Sequence, residues 1–299
     1  MDTLSGMALF VSAVEGKSFS QAARQFGVTP SAVSKRISKL EDELGVQLLR
    51  RTTRSLALTD IGTLYFERAK RIMEEVEETQ ALVTGSNTEP QGDLRVNMPT
   101  AIGQVEIAPA LPEFLARYPK VRLAFKTTDR VTELHADNPD FAIWIGEIND
   151  TRFVSRRLMS NKRMICGTPD YFDRHGVPKT PRDLERHNCL VNSVYHPQHT
   201  WPFTRNGKQI PTQVSGNVET DDYLVLLACV TGGLGISLLP EYLVASRLRD
   251  QSLRAVLTAY NTVNHPVFAL YPRARYPSPK VQAFLSFLEE RFSSGVWAT

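Results

Sequence analysis

Apolar positions recur with helical spacing through SFSQAARQFGVTPSAVSKRISKLEDELGVQLLRRTTR, residues 18–54, and Gly27 and Gly45 interrupt them. The rhythm predicts two helices and a hairpin. Ser18 opens the first helix, where its S-x-x-Q spacing to Gln21 lets each side chain satisfy a free backbone amide of the other residue. Ala22 and Ala23 are small enough for close packing, and Gly27 supplies the turn. Thr29 caps the second helix with Pro30 in its first position, where a missing amide hydrogen costs nothing. That helix runs to about Glu43 and commits Val33, Ile37, Leu40 and Leu44 to a core, leaving Ser31, Ser34, Lys35, Ser38 and Lys39 on the opposite stripe. VQLL and LALT, on either side of Arg50, Arg51 and Arg54, suit the two strands of a wing.

Thr59 begins a longer amphipathic run over residues 60–86, with Ile61, Tyr65, Ala69, Ile72, Val76 and Val83 near one face. The run is too polar for a core helix, so its stripe predicts a partner helix from a second copy, with Tyr65, Ile72 and Val76 at the contact; packing on the chain's own C-terminal domain is the alternative. GSNTEPQGD, residues 85–93, ends the periodicity and reads as a hinge. Beyond it the strand-like runs LRVNM, VRLAFKT, FAIWIG and RMICGT alternate with helical ones, first through Ile107, Leu111, Phe114 and Leu115, then a short one after VRLAFKT. LRAVL, VFALY and a helix with Val281, Phe284, Leu285, Leu288 and Phe292 follow. Such alternation predicts an α/β domain with parallel strands and crossover helices. In YLVLLACVTGGLGISLLP, residues 223–240, the glycines and the final proline divide the stretch into a buried helix and a buried strand rather than a membrane span.

A length of 299 residues fits two domains. The whole chain carries a net charge of +3, yet residues 24–54 hold seven basic residues (24, 35, 36, 39, 50, 51, 54) against three acids (41, 42, 43), a local excess of four. Positive charge is concentrated where phosphates of a DNA duplex would lie. Short hydroxyls let the second helix approach a groove closely, and Lys35 reaches a guanine edge or a phosphate. The candidate DNA contacts are Ser18, Thr29, Pro30, Ser31, Ser34, Lys35, Ser38, Arg51 and Arg54, with the acidic end, Glu41 to Glu43, pointing away.

Cys166, Cys189 and Cys229 form no C-x-x-C pair, so neither a zinc site nor a disulfide framework is expected. Cys229, on an apolar helix, reads first as a small hydrophobe and only second as a responsive thiol. H-E-x-x-H, G-x-S-x-G, P-loop and G-x-G-x-x-G patterns are missing, which predicts no catalytic residue, metal or cofactor. Met1 to Leu9 lacks the basic start and apolar core of a secretion signal, and a cytoplasmic protein is expected.

The stretch MALFVSAVEGKSFSQAARQFGVTPSAVSKRISKLEDELGVQLLRRTTRSLALTDIG carries S-F-S-x-A-A, S-A-V-S, the I-x-x-L-E of Ile37 to Glu41, L-G and L-T-x-x-G in one register. It resembles the N-terminal domain of LysR-type transcriptional regulators, and its R-T-T-R with L-T is typical of the branch that includes CrgA-like and AphB-like regulators. The resemblance implies a winged helix-turn-helix over 1–59, a dimerising linker helix and hinge over 60–91, and an effector-binding domain over 92–299. That last domain would be two-lobed and similar to periplasmic solute-binding proteins, with lobe I at 92–161 and 268–299 and lobe II at 162–267. It further implies antiparallel pairing of linker helices, a dimer extending to a tetramer, an operator that is an interrupted inverted repeat, and a small-molecule effector between the lobes.

In such a cleft, helix N-termini outside the carboxyl ends of strands present free amides. The positions that match are Thr100, Ala101 and Ile102 after the opening strand, Thr128 beside Thr127 after VRLAFK, and Thr220 beside Asp221 before YLVLL. Each could equally be a plain helix cap. Trp144 stands where the branch commonly carries arginine, which implies a less acidic or more aromatic effector, with Trp201, Phe203 and His196 adding to the second lobe's wall. Thr100 and Trp144 are expected to meet at one rim; filling the lobe core is the plainer role for Trp144. Two rivals of other classes are a periplasmic solute-binding protein, which the basic N-terminus opposes, and an architectural DNA-binding oligomer with no effector. A thermal-shift screen against metabolites separates the latter, since ligands that bind the folded state raise its melting temperature.

Overall fold

A computed structural model of the chain describes residues 3–51, 56–84, 89–130, 139–148, 150–273 and 277–293. It divides into two units, residues 1–88 and 89–299. In the first, α1 (Thr3–Glu15), α2 (Phe19–Phe26) and α3 (Pro30–Leu44) precede a hairpin of β1 (Leu49–Arg51) and β2 (Leu56–Leu58), and α4 (Asp60–Thr84) follows. Gly27 and Gly45 end α2 and α3 at φ of 64° and 68°, in the left-handed region that a Cβ disfavours. The Ser18 hydroxyl accepts from the amides of Ser20 at 3.2 Å and Gln21 at 3.4 Å. The expected return from Gln21 does not form: the Ser18 amide donates to the Ala13 carbonyl, and the Gln21 side chain lies over Gly16, where a Cβ would meet it at 2.8 Å.

Val33, Ile37 and Leu40 of α3 pack with Leu9, Phe10 and Ala22 in one core. Glu41 joins them instead of pointing to solvent. Its Oε1 accepts from the amides of Leu48 at 2.7 Å and Leu49 at 2.9 Å, so a buried carboxylate fixes where the hairpin begins relative to α3. The L-T-x-x-G sequence has a matching reason. Thr59 Oγ1 accepts from the Gly62 amide at 2.9 Å, and a Cβ on Gly62 would fall 2.0 Å from the Leu48 carbonyl oxygen. Only glycine lets the first turn of α4 sit on the strand that Glu41 holds.

The second unit contains β3 (Gly92–Met98), β4 (Val121–Thr127), β5 (Phe141–Ile145), β6 (Phe153–Met159), β7 (Arg163–Gly167), β8 (Cys189–Asn192), β9 (Thr200–Arg205), β10 (Lys208–Gln213), β11 (Glu219–Thr220), β12 (Ile236–Pro240), β13 (Arg254–Val256), β14 (Asn261–Thr262) and β15 (Val267–Pro272). One five-stranded sheet has the order β4-β3-β5-β15-β6, and another β11-β8-β12-β7-β13. The sheets are mixed, not parallel: β15 runs antiparallel to β5 and β6, and β7 antiparallel to β12 and β13. Helix Pro279–Ser293 follows β15, and its Phe284, Phe287 and Leu288 pack with Phe114 and Phe141. The helix expected after VRLAFKT falls on residues 131–138, outside the described residues.

A third sheet, β10-β9-β14, rests on a hairpin whose turn residues Asn206 and Gly207 both have positive φ, 51° and 77°. Asn-Gly between two alternating runs is the strongest short hairpin signal, and here it explains TWPFTRNGKQIPTQ. Chain passage between the five-stranded sheets occurs twice, at Asn161–Lys162 and near His265–Pro266. The two passages are tied by Asn161 N donating to Asn264 Oδ1 at 3.0 Å and His265 N donating to the Asn161 carbonyl at 3.2 Å.

The wing anchor is testable. Glu41→Ala leaves two amides without their acceptor and should lower stability by about 1–3 kcal/mol, while Glu41→Gln, which keeps one oxygen, should lose less. Urea denaturation of the two variants reads this out; an unchanged midpoint for both would show that the hairpin is held by other groups.

Candidate nucleic-acid face and inter-lobe cleft

On the first unit, Thr29 Oγ1 accepts from the Ala32 amide at 3.3 Å and lies 3.0 Å from Ser31 Oγ, which sets the start of α3. Ser31, Ser34 and Lys35 are exposed and Ser38 is half-buried. Arg36 is committed elsewhere, donating to Ser5 Oγ at 2.7 Å and so tying α3 to α1. A concavity of about 420 Å³ brings Lys17, Ser18, Ser34, Ser38 and Arg50 around a floor of Phe19, Ile37, Leu49 and Leu56; Glu41 also lines it, so this acid does not point away from the face as expected. Lys17 and Arg50 belong to this face although sequence reasoning left them off the contact list. Their signal was the charge itself, at a turn and at the first wing strand. Arg54 and the side chain of Arg51 lie outside the described residues.

The cleft candidates separate into three groups. Thr100 donates its amide to Asp129 Oδ2 at 3.3 Å, while buried Thr128 accepts from the Arg130 amide at 3.1 Å through Oγ1. Thr220 Oγ1 accepts from the Asp222 amide at 3.2 Å, and Asp222 in turn caps the helix Tyr223–Thr231. Ala101 and Ile102 are buried in the main core, so their contribution to the rim is structural. Arg130 and Asp221, one on each lobe, stand 3.9 Å apart as an exposed pair of little energetic weight.

The tryptophans are placed differently from expectation. Trp144 is on the face of β5 opposite Phe141, Ile143 and Ile145, packed with Ala142, Leu270 and Phe268, whereas Ala101 and Ile102 share the core with Ile143. Strand alternation thus puts the indole on the opposite face of β5 from the core that Ala101 and Ile102 join, in the plainer packing role. Trp201 and Phe203 are fully buried in the second lobe's own core with Tyr171 and Val191, which removes them from the cleft wall.

His196 remains, and beside it the structure adds residues that no motif announced. Arg163, at the start of β7, is buried, its guanidinium 4.6 Å from the Tyr195 ring centre and 4.7 Å from that of Tyr223, with Nη1 donating to the Tyr223 hydroxyl. Burial, then Arg163 and His265, push His196 down to about 4. Burial holds the Asp129 carboxyl above its ordinary range, and pushes Tyr195 up to about 12. Cys166 and Cys189 are buried and raised to about 12, and Cys229 is half-buried against the main core.

Residues 4–63 match the bacterial regulatory helix-turn-helix protein, lysR family, and residues 87–293 match the LysR substrate binding domain. The chain belongs to the LysR family of transcriptional regulators. The HTH-type transcriptional activator AaeR of Escherichia coli K12 is 32% identical over 292 residues, covering 98% of this chain and 94% of that protein. CrgA of Neisseria meningitidis serogroup C is 31% identical over 291 residues, with 97% of each chain covered. The solved structure of CrgA, 30% identical, superposes with a TM-score of 0.64 over 96% of this chain and 98% of that one. This LysR-type regulator therefore couples a DNA-binding helix-turn-helix to a substrate-binding regulatory domain.

Two groups of the regulatory domain, the buried His196 and the half-buried Glu106, make opposite claims on pH. His196 at about 4 binds fewer protons folded than unfolded, so its contribution to stability rises with pH from about 4 to the ordinary 6.5. Glu106, which burial pushes up to about 7 against the pull of Arg291, binds more protons folded, so its contribution falls as pH rises from 4.5 to about 7. Between pH 4.5 and 6.5, melting temperature should therefore climb less steeply with pH in His196→Gln than in wild type, and more steeply in Glu106→Gln. Parallel curves for all three proteins would mean that neither group is perturbed in the folded state.

Proposed function

We propose that this LysR-type regulator acts as a homodimer, extending to a tetramer, that binds an interrupted inverted repeat through paired winged helices and alters transcription when a small molecule occupies the inter-lobe cleft. It is a cytoplasmic regulator and not an enzyme on this reading. The observation that carries it is the pairing, within one concavity, of the capped α3 stripe Ser34–Ser38 with the basic residues Lys17 and Arg50. Hydroxyls and one lysine on the helix suit base edges, while flanking cations suit phosphates. Pro30 and Thr29 set the helix start and Ser18 that of α2, roles that place the contacts rather than make all of them.

The dimer rests on α4. Tyr65 and Ala69 turn inward against Phe10, whose ring lies 5.5 Å from that of Tyr65, so Tyr65 belongs to the unit's own core instead of the pairing face. Among the described side chains of α4, the exposed large apolar ones are Ile61, Leu64 and Ile72, beside a groove of about 290 Å³ lined by Ile72, Val76 and Thr79. Leu64, 53% exposed, is the residue that a heptad reading misses because α4 follows its own helical period past α1.

Two experiments test this reading. With an operator located by footprinting, Lys35→Ala is expected to lose about 1–3 kcal/mol of operator affinity and most base discrimination. Arg50→Ala should weaken operator and random DNA alike and flatten the salt slope by about one unit. Anisotropy titrations that leave both variants at wild-type affinity would sink the assigned face. Leu64→Glu with Ile72→Glu should reduce the particle size in sedimentation and lower operator affinity together, since the second half-site loses its tethered partner. A double variant that keeps both would assign α4 another partner.

A further inference from the structure

Buried polar atoms are normally paired, so a concentration of unpaired ones asks for an explanation. Eight buried side-chain polar atoms lack a hydrogen-bond partner among the described residues, and five of them belong to Asn161, Arg163 and Tyr242, around the passage between the lobes. Arg163 is the costliest of these, because an arginine keeps its charge when buried and that charge demands a counterpart. Tyrosine rings flank its guanidinium and Nη1 donates to the Tyr223 hydroxyl, yet Nε and Nη2 have no acceptor. Those two nitrogens lie on one edge of the guanidinium with their hydrogens nearly parallel, the fork that takes both oxygens of a carboxylate. Asp129 is close enough to feel the charge, but its Oδ2 accepts from the Thr100 amide and forms no ion pair with Arg163. His196, His265, Tyr195 and Tyr242 also feel Arg163 in their titration; the histidines carry no negative charge, and burial raises both tyrosines, which keeps them neutral hydroxyls.

We propose that the effector is a small organic carboxylate whose two oxygens are received by Nε and Nη2 of Arg163, with the Tyr195 and Tyr223 rings walling the guanidinium. This assignment rests on the reading of the cleft as an effector site and names the ligand's class. It also revises the expectation drawn from Trp144: the cation missing from β5 is supplied from β7, on the other lobe. The Asn161 amide and the Tyr242 hydroxyl, both unpaired and buried, offer neutral hydrogen bonds to polar substituents on the ligand's body.

The test uses the full-length chain and three probe acids, propionate, succinate and benzoate, each beside its uncharged amide. At least one acid should raise the melting temperature while its amide does not. Arg163→Met removes a buried, half-paired charge and should fold with equal or greater stability, yet lose that shift entirely. Arg163→Lys keeps the charge without the fork and should weaken the apparent affinity at least about tenfold. The proposal is overturned if no acid shifts the melting temperature, if amides act as well as acids, or if Arg163→Met still responds. An amide response that Thr100→Val removes and Arg163→Met does not would keep the effector cleft while discarding the carboxylate. Marked destabilisation of Arg163→Met with an unaltered acid response would make the arginine structural.

Discussion

Everything the regulatory domain can do depends on the double passage of the chain between its two lobes. Asn161 on the way out and Asn264–His265 on the way back hold each other through a side-chain acceptor and a backbone acceptor, at 3.0 and 3.2 Å. Two short bonded segments tie the two five-stranded sheets together where the chain passes between them. The adjoining bonds extend the tie on both sides: Gly146 donates to the Pro266 carbonyl at 2.8 Å, and Glu241 donates to that of Lys162 at 2.9 Å. On the proposed reading, a ligand between the lobes would meet surfaces whose separation depends on this neck, and a few residues of such a passage can serve as a hinge.

The DNA-binding unit obeys a comparable constraint on a smaller scale. A winged helix presents helix and wing to the same duplex only if the wing's root is fixed relative to the recognition helix, and here one carboxylate does this from within the core. Its position in an acidic run, Glu41 to Glu43, disguised it. The other two acids are exposed, and only helical phase distinguishes the residue that shares the core stripe with Ile37 and Leu40. Gly62 completes the arrangement by letting α4 approach the Leu48 carbonyl.

What could be read in advance was what local chemistry dictates. Thr29 with Pro30, Gly27, and the stripe of α3 predict their elements because capping, handedness and helical period act over a few residues. The hairpin at Asn206–Gly207 was equally legible and went unread. The mixed sheets were not legible, since the direction of β7 and β15 is decided by pairings across long stretches of chain, Leu239 with Met164 and Leu270 with Ala142. The cleft suffered most from this. Trp144 and Trp201 looked like ligand walls as residue types, but strand phase and lobe core claim both side chains. Arg163 gave no signal at all, because an arginine opening a strand is usually at the surface, and only the fold reveals that three tyrosines close over it.

The position of that arginine bears on how occupancy would be sensed. Asn161 and Arg163 are two residues apart on the same stretch, so the group proposed to receive the ligand is adjacent to the passage between the lobes and not at the far end of one. A buried guanidinium with an unpaired edge is unfavourable to the arrangement that buries it, and an anion on that edge reverses the sign of the contribution. The two angular states of the neck would then differ in their affinity for the ligand, which is the requirement for a population shift: a ligand that bound both states equally would change nothing. Asp129 sharpens the difference. Its carboxylate is held by the Thr100 amide of its own lobe, close enough to favour the charge of Arg163 on the other lobe but without satisfying its fork. Replacing that loose electrostatic relation with a bidentate one is the step by which a small anion can do work on the lobe angle.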